Sequence, residues 1–362
     1  MFVREIVLNS FRNYRHLDLS FQDSRIFVTG ENGVGKTNLL EALYYLSLGR
    51  SFRKAQDNSL IENGVKQASL YLTFDDEKDG KRHTLSAVLT PAGRTFAYDD
   101  EKLPSLTKIL GRYLAVCYTP EMAFFYKEPP MEKRRLLDEV GCQLSPAYLY
   151  AATRYMKLLK ERNNGLAKHY DQDVLDVYRN QLMNVAYRIV QDRKALIRKL
   201  SALVQDYYVQ LFGEEHRFGL VYRTNCPMDD DEESFLANAK KKFEENQSFE
   251  NLRCQTLIGP HRDDLLAQLD GKDVALYGSQ GENRIASLSL RLAILDLYEK
   301  SLGKRPVLIL DDVLSDLDEK RAGNLLHAVG QKGQVFLSGT KVPQEVRDYT
   351  VLVTDGKEVR PR

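Results

Sequence analysis

The stretch Gly30-Glu31-Asn32-Gly33-Val34-Gly35-Lys36-Thr37 sits between an apolar, strand-like run, Arg25 to Thr29, and a helix-like run, Asn38 to Leu48. A strand, a glycine-rich turn closing on Lys-Thr and a helix together make a cradle for nucleotide phosphates. The glycines let the backbone curl so that successive N–H groups point at the β- and γ-phosphates. The Lys36 ammonium reaches the same oxygens, and the Thr37 hydroxyl is placed to ligate Mg²⁺. A chance glycine-rich turn needs neither the strand before it nor the helix after it.

Working outward, the 362 residues are 43% hydrophobic and 28% charged, which suits a globular protein with a substantial core and two lobes. Lysine plus arginine number 52 against 51 acidic residues, so a net charge of +1 gives no global pull on nucleic acid, and a basic binding face has to be local. The four cysteines, at 117, 142, 226 and 254, have no C-x-x-C spacing and read as reduced thiols rather than metal ligands or disulfides. Charges within the first five residues and the lack of a membrane-length apolar run point to a cytoplasmic protein with no membrane partner.

Apolar segments at Val3 to Leu8, Leu17 to Phe21, Leu70 to Phe74, Thr84 to Leu89 and Thr95 to Tyr98 read as strands, so the N-terminal third is β-rich. From Met131 the spacing turns helical: Leu136, Leu137 and Val140, then Tyr148, Tyr150, Tyr155, Leu158 and Leu159, up to a stop signal at Asn163-Asn164-Gly165. A second long helix carries Val174, Tyr178, Leu182, Val185, Ile189, Leu196, Leu200, Leu203, Tyr207 and Leu211 on one face. At 1.5 Å per residue these helices reach at most roughly 50 to 60 Å, a helical lobe rather than a coiled-coil arm. The acidic span 227–250 reads as a loop and a surface helix. Val307 to Leu310 is a buried parallel strand with Val335 to Ser338 as its neighbour, and Val351 to Val359 is a hairpin turning at Asp355-Gly356. The expected organisation is an α/β ATPase lobe in two parts, 1–130 with the phosphate loop and 251–362, with a helical lobe, 131–250, inserted.

Two further motifs carry chemistry. Asp311 and Asp312 end the strand Val307 to Leu310, at the strand edge where open α/β sheets hold ligands. Beside a phosphate cradle, Asp311 would hold Mg²⁺ and Asp312 would orient or deprotonate the attacking water, although a pair of acids at a strand end is also an ordinary turn or helix cap. Ser279-Gln280-Gly281-Glu282 opens a helix from Asn283 to Tyr298 and resembles the signature motif of ABC-type ATPases, with Gln280 where glycine is usual. In that superfamily the serine and helix N-terminus bind the γ-phosphate held by the other subunit. Taken alone, S-x-G-E reads first as an ordinary helix cap, and its order relative to the phosphate cradle and Asp311-Asp312 is what raises it. Ser315-Asp316-Leu317-Asp318 resembles the superfamily's D-loop.

These motifs, with Phe11-Arg12-Asn13-Tyr14, Pro120-Glu121, Pro130 to Asp138 and Ile258 to Asp264, resemble in order and spacing the bacterial RecF family, which is similar to the heads of chromosome-maintenance proteins but lacks their long coiled coils. Departures are Glu128-Pro129-Pro130, where the family has Gly-Ser-Pro, and Asp312, where many ABC ATPases carry glutamate. The resemblance implies an ATPase of recombinational repair that dimerises on ATP, grips duplex and gapped DNA, and works with RecO and RecR, indirectly with RecA. It implies ATP-binding roles for Arg12, Gly30 to Asn38 (with Glu31, Asn32, Gly33, Val34, Gly35, Lys36 and Thr37) and Ser279 to Glu282, and catalytic roles for Lys36, Asp311, Asp312 and Ser279. Candidate DNA contacts are Arg50, Arg53 and Lys54, and Arg188, Arg193, Lys194, Arg198 and Lys199 in 151–204, which holds 11 basic side chains against 5 acidic ones, a net +6. The rival is the nucleotide-binding subunit of a membrane transporter, which explains neither Phe11 to Tyr14 nor Ile258 to Asp264. A second rival, a head that dimerises without hydrolysing ATP, differs only in phosphate release.

Overall fold

The computed structural model describes residues 1–213, 216–330, 332–356 and 358–362; the side chain of Asp316 is also outside the description. The chain divides into two compact units: Met1–Ala123, Asp206–Glu215 and Arg284–Arg362 form the first, and Phe124–Gln205 with His216–Asn283 the second.

The chain opens with β1 (Phe2–Phe11), β2 (Tyr14–Ser20) and β3 (Arg25–Thr29), then α1 (Lys36–Leu48), β4 (Ala68–Asp76), β5 (Lys81–Thr90), β6 (Gly93–Tyr98), β7 (Glu101–Lys102) and β8 (Ala115–Tyr118). The helices α2 (Pro130–Leu144), α3 (Pro146–Ala167) and α4 (Gln172–Phe212) follow, then β9 (Phe218–Arg223), α5 (Glu232–Arg253), β10 (Asp264–Leu269), β11 (Lys272–Asp273) and α6 (Val274–Tyr277). The last elements are α7 (Gln280–Leu302), β12 (Val307–Leu310), α8 (Glu319–Val329), β13 (Val335–Gly339), β14 (Thr350–Thr354) and β15 (Val359–Pro361).

Among the described residues the first unit holds two six-stranded sheets. One, ordered β2-β1-β4-β5-β6-β7, is antiparallel; burial along β4 alternates strictly, as a sheet with one face on the core requires. The other, ordered β15-β14-β3-β13-β12-β8, is parallel except at β15. Its central strands are apolar throughout because both faces are covered: every residue of β8, β12 and β13 is buried. This order sets β12 two places from β3, with β13 between, so the carboxyl ends of all three converge. The C-terminal hairpin forms as expected, with Lys357 of its turn outside the described residues.

The second unit packs α2, α3, the N-terminal part of α4 and α5 around buried Tyr148, Tyr155, Leu182, Ile189, Phe235 and Phe243. Helix α3 ends at Ala167, two residues past the stop signal Asn163-Asn164-Gly165: Asn164 O accepts from Lys168 N–H and Gly165 O from Tyr170 N–H, each at 3.0 Å, while Asn163 accepts hydrogen bonds from Thr256 N–H and hydroxyl, and a Cβ on Gly165 would crowd Tyr170 and Leu175 at 3.0 and 3.1 Å. Other expectations are corrected. Helix α5 is not merely a surface helix, since it buries Phe235, Ala239 and Phe243. Residues 251–283, assigned from sequence to the ATPase lobe, belong to the second unit because β10 pairs with β9 over six residues, Asp264↔Arg223 to Leu269↔Phe218. The turns of α4 from Asp206 onward belong to the first unit instead.

Candidate nucleotide site

The loop after β3 curls back on itself and ends at Gly35, the N-cap of α1, with φ 101°. Any Cβ at Gly35 would lie 2.5 Å from Asn13 Nδ2, so glycine is required both by the backbone and by the close approach of Asn13. Asn13 Nδ2 donates to Gly356 O at 2.7 Å, Asn38 Nδ2 donates to Asn13 Oδ1 at 2.7 Å, and Tyr14 hydroxyl donates to Gly35 O at 3.1 Å. The motif Phe11 to Tyr14 therefore clamps the phosphate loop, a role that no spacing in the sequence signals.

Lys36 is 7% exposed, and its ammonium donates to Gly30 O and Glu31 O, each at 2.8 Å. Burial lowers its pKa, while Asp312 and Asp311 hold it up. Asp311, at the end of β12, is 5% exposed; burial raises its pKa, and hydrogen bonds from Ser338 and Thr37 oppose the rise. Ser338, on the intervening strand β13, donates to Asp311 Oδ1 at 2.5 Å and accepts from Asp312 N–H at 3.0 Å. One hydroxyl thus ties the Asp311 carboxylate to the Asp312 backbone, a link that no spacing in the sequence signals. Asp312 takes a left-handed backbone, φ 46°.

Arg12 makes a two-pronged ion pair with the fully buried Glu41, Nε to Oε2 and Nη2 to Oε1 both at 2.8 Å, and donates to Ser59 O at 3.0 Å. Glu41 also accepts from the Ser51 hydroxyl. Arg53 donates to Asn38 Oδ1 at 2.8 Å and comes within 3.7 Å of Glu41. A cleft of about 770 Å³ opens along these groups, its lining including Gly33, Gly35, Lys36, Thr37, Asp311 and Asp312 together with Arg12 and Arg53.

A nucleotide fits this donor set. The cradle is cationic at Lys36, and the Thr37 hydroxyl and the Asp311 carboxylate are hard oxygen ligands already in contact, the type that Mg²⁺ prefers. A cation between them would offset the burial of the Asp311 charge.

Residues 2–345 match the RecF/RecN/SMC N terminal domain. The chain is 35% identical over 354 residues to the DNA replication and repair protein RecF of Bacillus pumilus (strain SAFR-032), with 94% of each chain covered. The chain belongs to the RecF family. The DNA replication and repair protein RecF of Bacillus subtilis (strain 168) is 34% identical over 350 residues, covering 94% of each. The solved structure of the recombination mediator RecF-ATPrS of the RecFOR pathway superposes with a TM-score of 0.91 at 27% identity, covering 99% of this chain and 98% of that one. A Smc head domain from Pyrococcus furiosus, at 14% identity and TM-score 0.60 over 100% of this chain and 96% of that one, shares the fold alone. The family is one of ATPases of DNA replication and repair, so the transporter reading is set aside; no described helix is long and apolar enough to cross a membrane.

The other expected residues scatter. Ser279 is exposed, in the second unit; its hydroxyl accepts from Glu282 N–H at 3.2 Å while Glu282 accepts from Ser279 N–H at 2.7 Å, a reciprocal cap that squares off the N-terminus of α7. Gln280 and Gly281 are the first helical residues. Among the DNA candidates Arg193 is a correction: it is 3% exposed, paired with Asp138 at 2.7 Å and Asp263 at 2.6 Å, and bonded to Pro260 O at 2.7 Å and Tyr148 hydroxyl at 3.0 Å. It holds the second unit together and has no guanidinium face to offer. Arg188 pairs with Asp192 and Lys194 with Asp230, while Arg198 and Lys199 are exposed. Arg53 lines the nucleotide cleft, and Arg50 is half-buried beside exposed Lys54. His261 bridges Tyr155 hydroxyl at 2.6 Å and Thr256 O at 2.9 Å; burial lowers its pKa to about 4, so it stays a neutral structural linker. Gly259 precedes it at φ 145°, where a Cβ would meet Tyr155 Oη at 2.0 Å.

Proposed function

We propose that this RecF-family chain is an ATP-driven DNA clamp of recombinational repair. ATP would join two copies face to face, each phosphate loop meeting the other copy's Ser279, and the closed dimer would hold duplex DNA at single-strand gaps and act with RecO and RecR to load RecA. The observation that carries the reading is the convergence of Lys36, Thr37, Asp311 and Asp312 on one cleft at the carboxyl ends of β3, β13 and β12. The likeness to RecF structures of the RecFOR pathway holding ATP or ATPrS supports it.

Lys36 would leave the Gly30 and Glu31 carbonyls for the γ-phosphate, exchanging two neutral acceptors for an anionic one. Thr37 and Asp311 would hold Mg²⁺, whose charge neutralises the phosphate oxygens in the transition state. Asp312, its left-handed backbone anchored through Ser338, would orient the attacking water and accept its proton. Ser279, at the positive end of the 23-residue α7, would complete the site of the other copy. Since two half-sites share one phosphate, nucleotide binding and association are linked equilibria, and hydrolysis resets the clamp.

Sedimentation of the full chain with and without Mg·ATP, and then with gapped DNA, tests this. The expected result is a dimer that forms only with ATP and retains the DNA. A chain that stays monomeric with saturating ATP contradicts the clamp.

A further inference from the structure

Beyond the phosphate loop the cleft is walled by Ser59, Ile61, Glu62 and Asn63, which have no assigned role. This wall is fixed in place. Arg12 N–H donates to Leu60 O at 2.7 Å and Glu62 N–H to Ser10 O at 2.8 Å, and Phe11 pairs with Ile61 in an antiparallel bridge. Ile61 is buried and gives the wall an apolar backing.

Within it, Glu62 Oε2 is buried with no hydrogen-bond partner among the described residues. An acceptor left without a donor is costly, and Glu62 is a partly exposed residue of the cleft lining, so a small turn of its side chain would offer this oxygen to a donor that arrives with the ligand. The nearby guanidinium groups are committed elsewhere: Arg12 to Glu41 and Ser59, and Arg53 to Asn38.

With a triphosphate held by the loop, the nucleoside is the part of the ligand left to meet the remaining residues of the cleft lining, and its donors are the ribose hydroxyls and the exocyclic amine of the base. We infer that Glu62 reads the nucleoside: its carboxylate accepts a hydrogen bond from a ribose hydroxyl or from the adenine amino group. The inference rests on the phosphate-loop reading and deepens it, because a cradle of backbone N–H groups and one lysine recognises phosphate and cannot tell one nucleotide from another. Sites built around a buried polar group discriminate strongly against analogues that leave it unpaired.

Calorimetric titration of the full chain with ATP, 2′-deoxy-ATP, 3′-deoxy-ATP, ITP and inorganic tripolyphosphate tests this in wild type, Glu62→Ala and Glu62→Gln. Wild type should bind ATP roughly tenfold or more tightly than at least one analogue. Loss with a deoxy analogue assigns the ribose, and loss with ITP, which has a carbonyl in place of the amine, assigns the base. In Glu62→Ala the affinity for ATP should fall to that of the discriminated analogue, while tripolyphosphate binds as in wild type and shows the loop to be folded. Glu62→Gln, which keeps a carbonyl acceptor, should retain part of the preference. Equal affinity of wild type for ATP and all three analogues overturns the inference, as does undiminished discrimination in Glu62→Ala. A wild type that binds neither ATP nor tripolyphosphate overturns the phosphate-loop reading instead, and this inference with it.

Discussion

Arg193→Met removes a guanidinium from the interior of the second unit while keeping most of its volume and its aliphatic contacts. The cost falls unevenly on its two partners. Asp138 is 41% exposed at its side chain and recovers water, whereas Asp263 is fully buried and loses the ion pair to its carboxylate, keeping the Tyr222 hydroxyl there and the Arg134 guanidinium at its backbone carbonyl, 2.7 Å away. Leaving one buried charge unpaired costs about 3–5 kcal/mol, so the second unit should lose that much stability near neutral pH. The loss has a pH signature. Burial already raises the Asp263 pKa in wild type, with Arg193 as the foremost opposing influence, and without the guanidinium it rises further. A carboxyl whose folded pKa lies above the unfolded value loses stability as pH rises from the unfolded pKa to the folded one, so the deficit of Arg193→Met should grow from about pH 4 toward neutrality. Urea unfolding followed by circular dichroism at several pH values measures it, and adding Asp263→Asn should recover part of the loss. A deficit below about 1 kcal/mol, or one that does not change with pH, would refute the assignment of Arg193 as the counter-ion of Asp263.

Further outcomes follow from the nucleotide cleft and the surface. Lys36→Met should lower ATP hydrolysis by on the order of a hundredfold or more, measured as phosphate release, and should abolish ATP-dependent dimers. Asp312→Asn should retain Mg·ATP and accumulate a DNA-bound dimer with hydrolysis reduced by about 10²- to 10⁴-fold, whereas Asp311→Asn should weaken Mg²⁺-dependent nucleotide binding itself; titrations and single-turnover assays separate the two. Duplex affinity should fall steeply with salt and vary little with sequence, and Arg198→Glu with Lys199→Glu should reduce it; unchanged binding moves the DNA site elsewhere.

The parallel sheet was legible because fully buried strands such as Val307 to Leu310 are continuous apolar runs, and the antiparallel sheet because residues such as Leu70, Leu72 and Phe74 alternate. The strand Ala115 to Tyr118 was passed over, since four apolar residues have no period of their own; only pairing with β12 identifies them. Asn163-Asn164-Gly165 marked the end of α3 to within two residues, but the tertiary packing of Asn163 and Gly165 against Thr256, Tyr170 and Leu175 has no local signal. At the site, Gly30 to Thr37 and Asp311 could be read because their chemistry is local. Ser338, Glu41 and Asn13 could not, because each acts on partners distant in sequence, Asp311, Arg12 and Gly35. Arg193 shows the same limit from the other side: a basic residue in a basic helix looks like a DNA contact until Asp138 and Asp263 are seen to meet it.

Central to the proposed function is a composite site, in which the phosphate loop of one copy and Ser279 of another would turn a nucleotide-binding fold into a clamp. Mixing two disabled chains tests it. Lys36→Met keeps a working Ser279 and Ser279→Arg keeps a working phosphate loop, so each alone should be unable to hydrolyse ATP, while a mixed pair holds one intact site. Phosphate release from the equimolar mixture, well above that of either variant alone, is the predicted result. A mixture no more active than its separate components, or a Ser279→Arg chain that hydrolyses ATP and dimerises like wild type, would contradict a site shared between subunits.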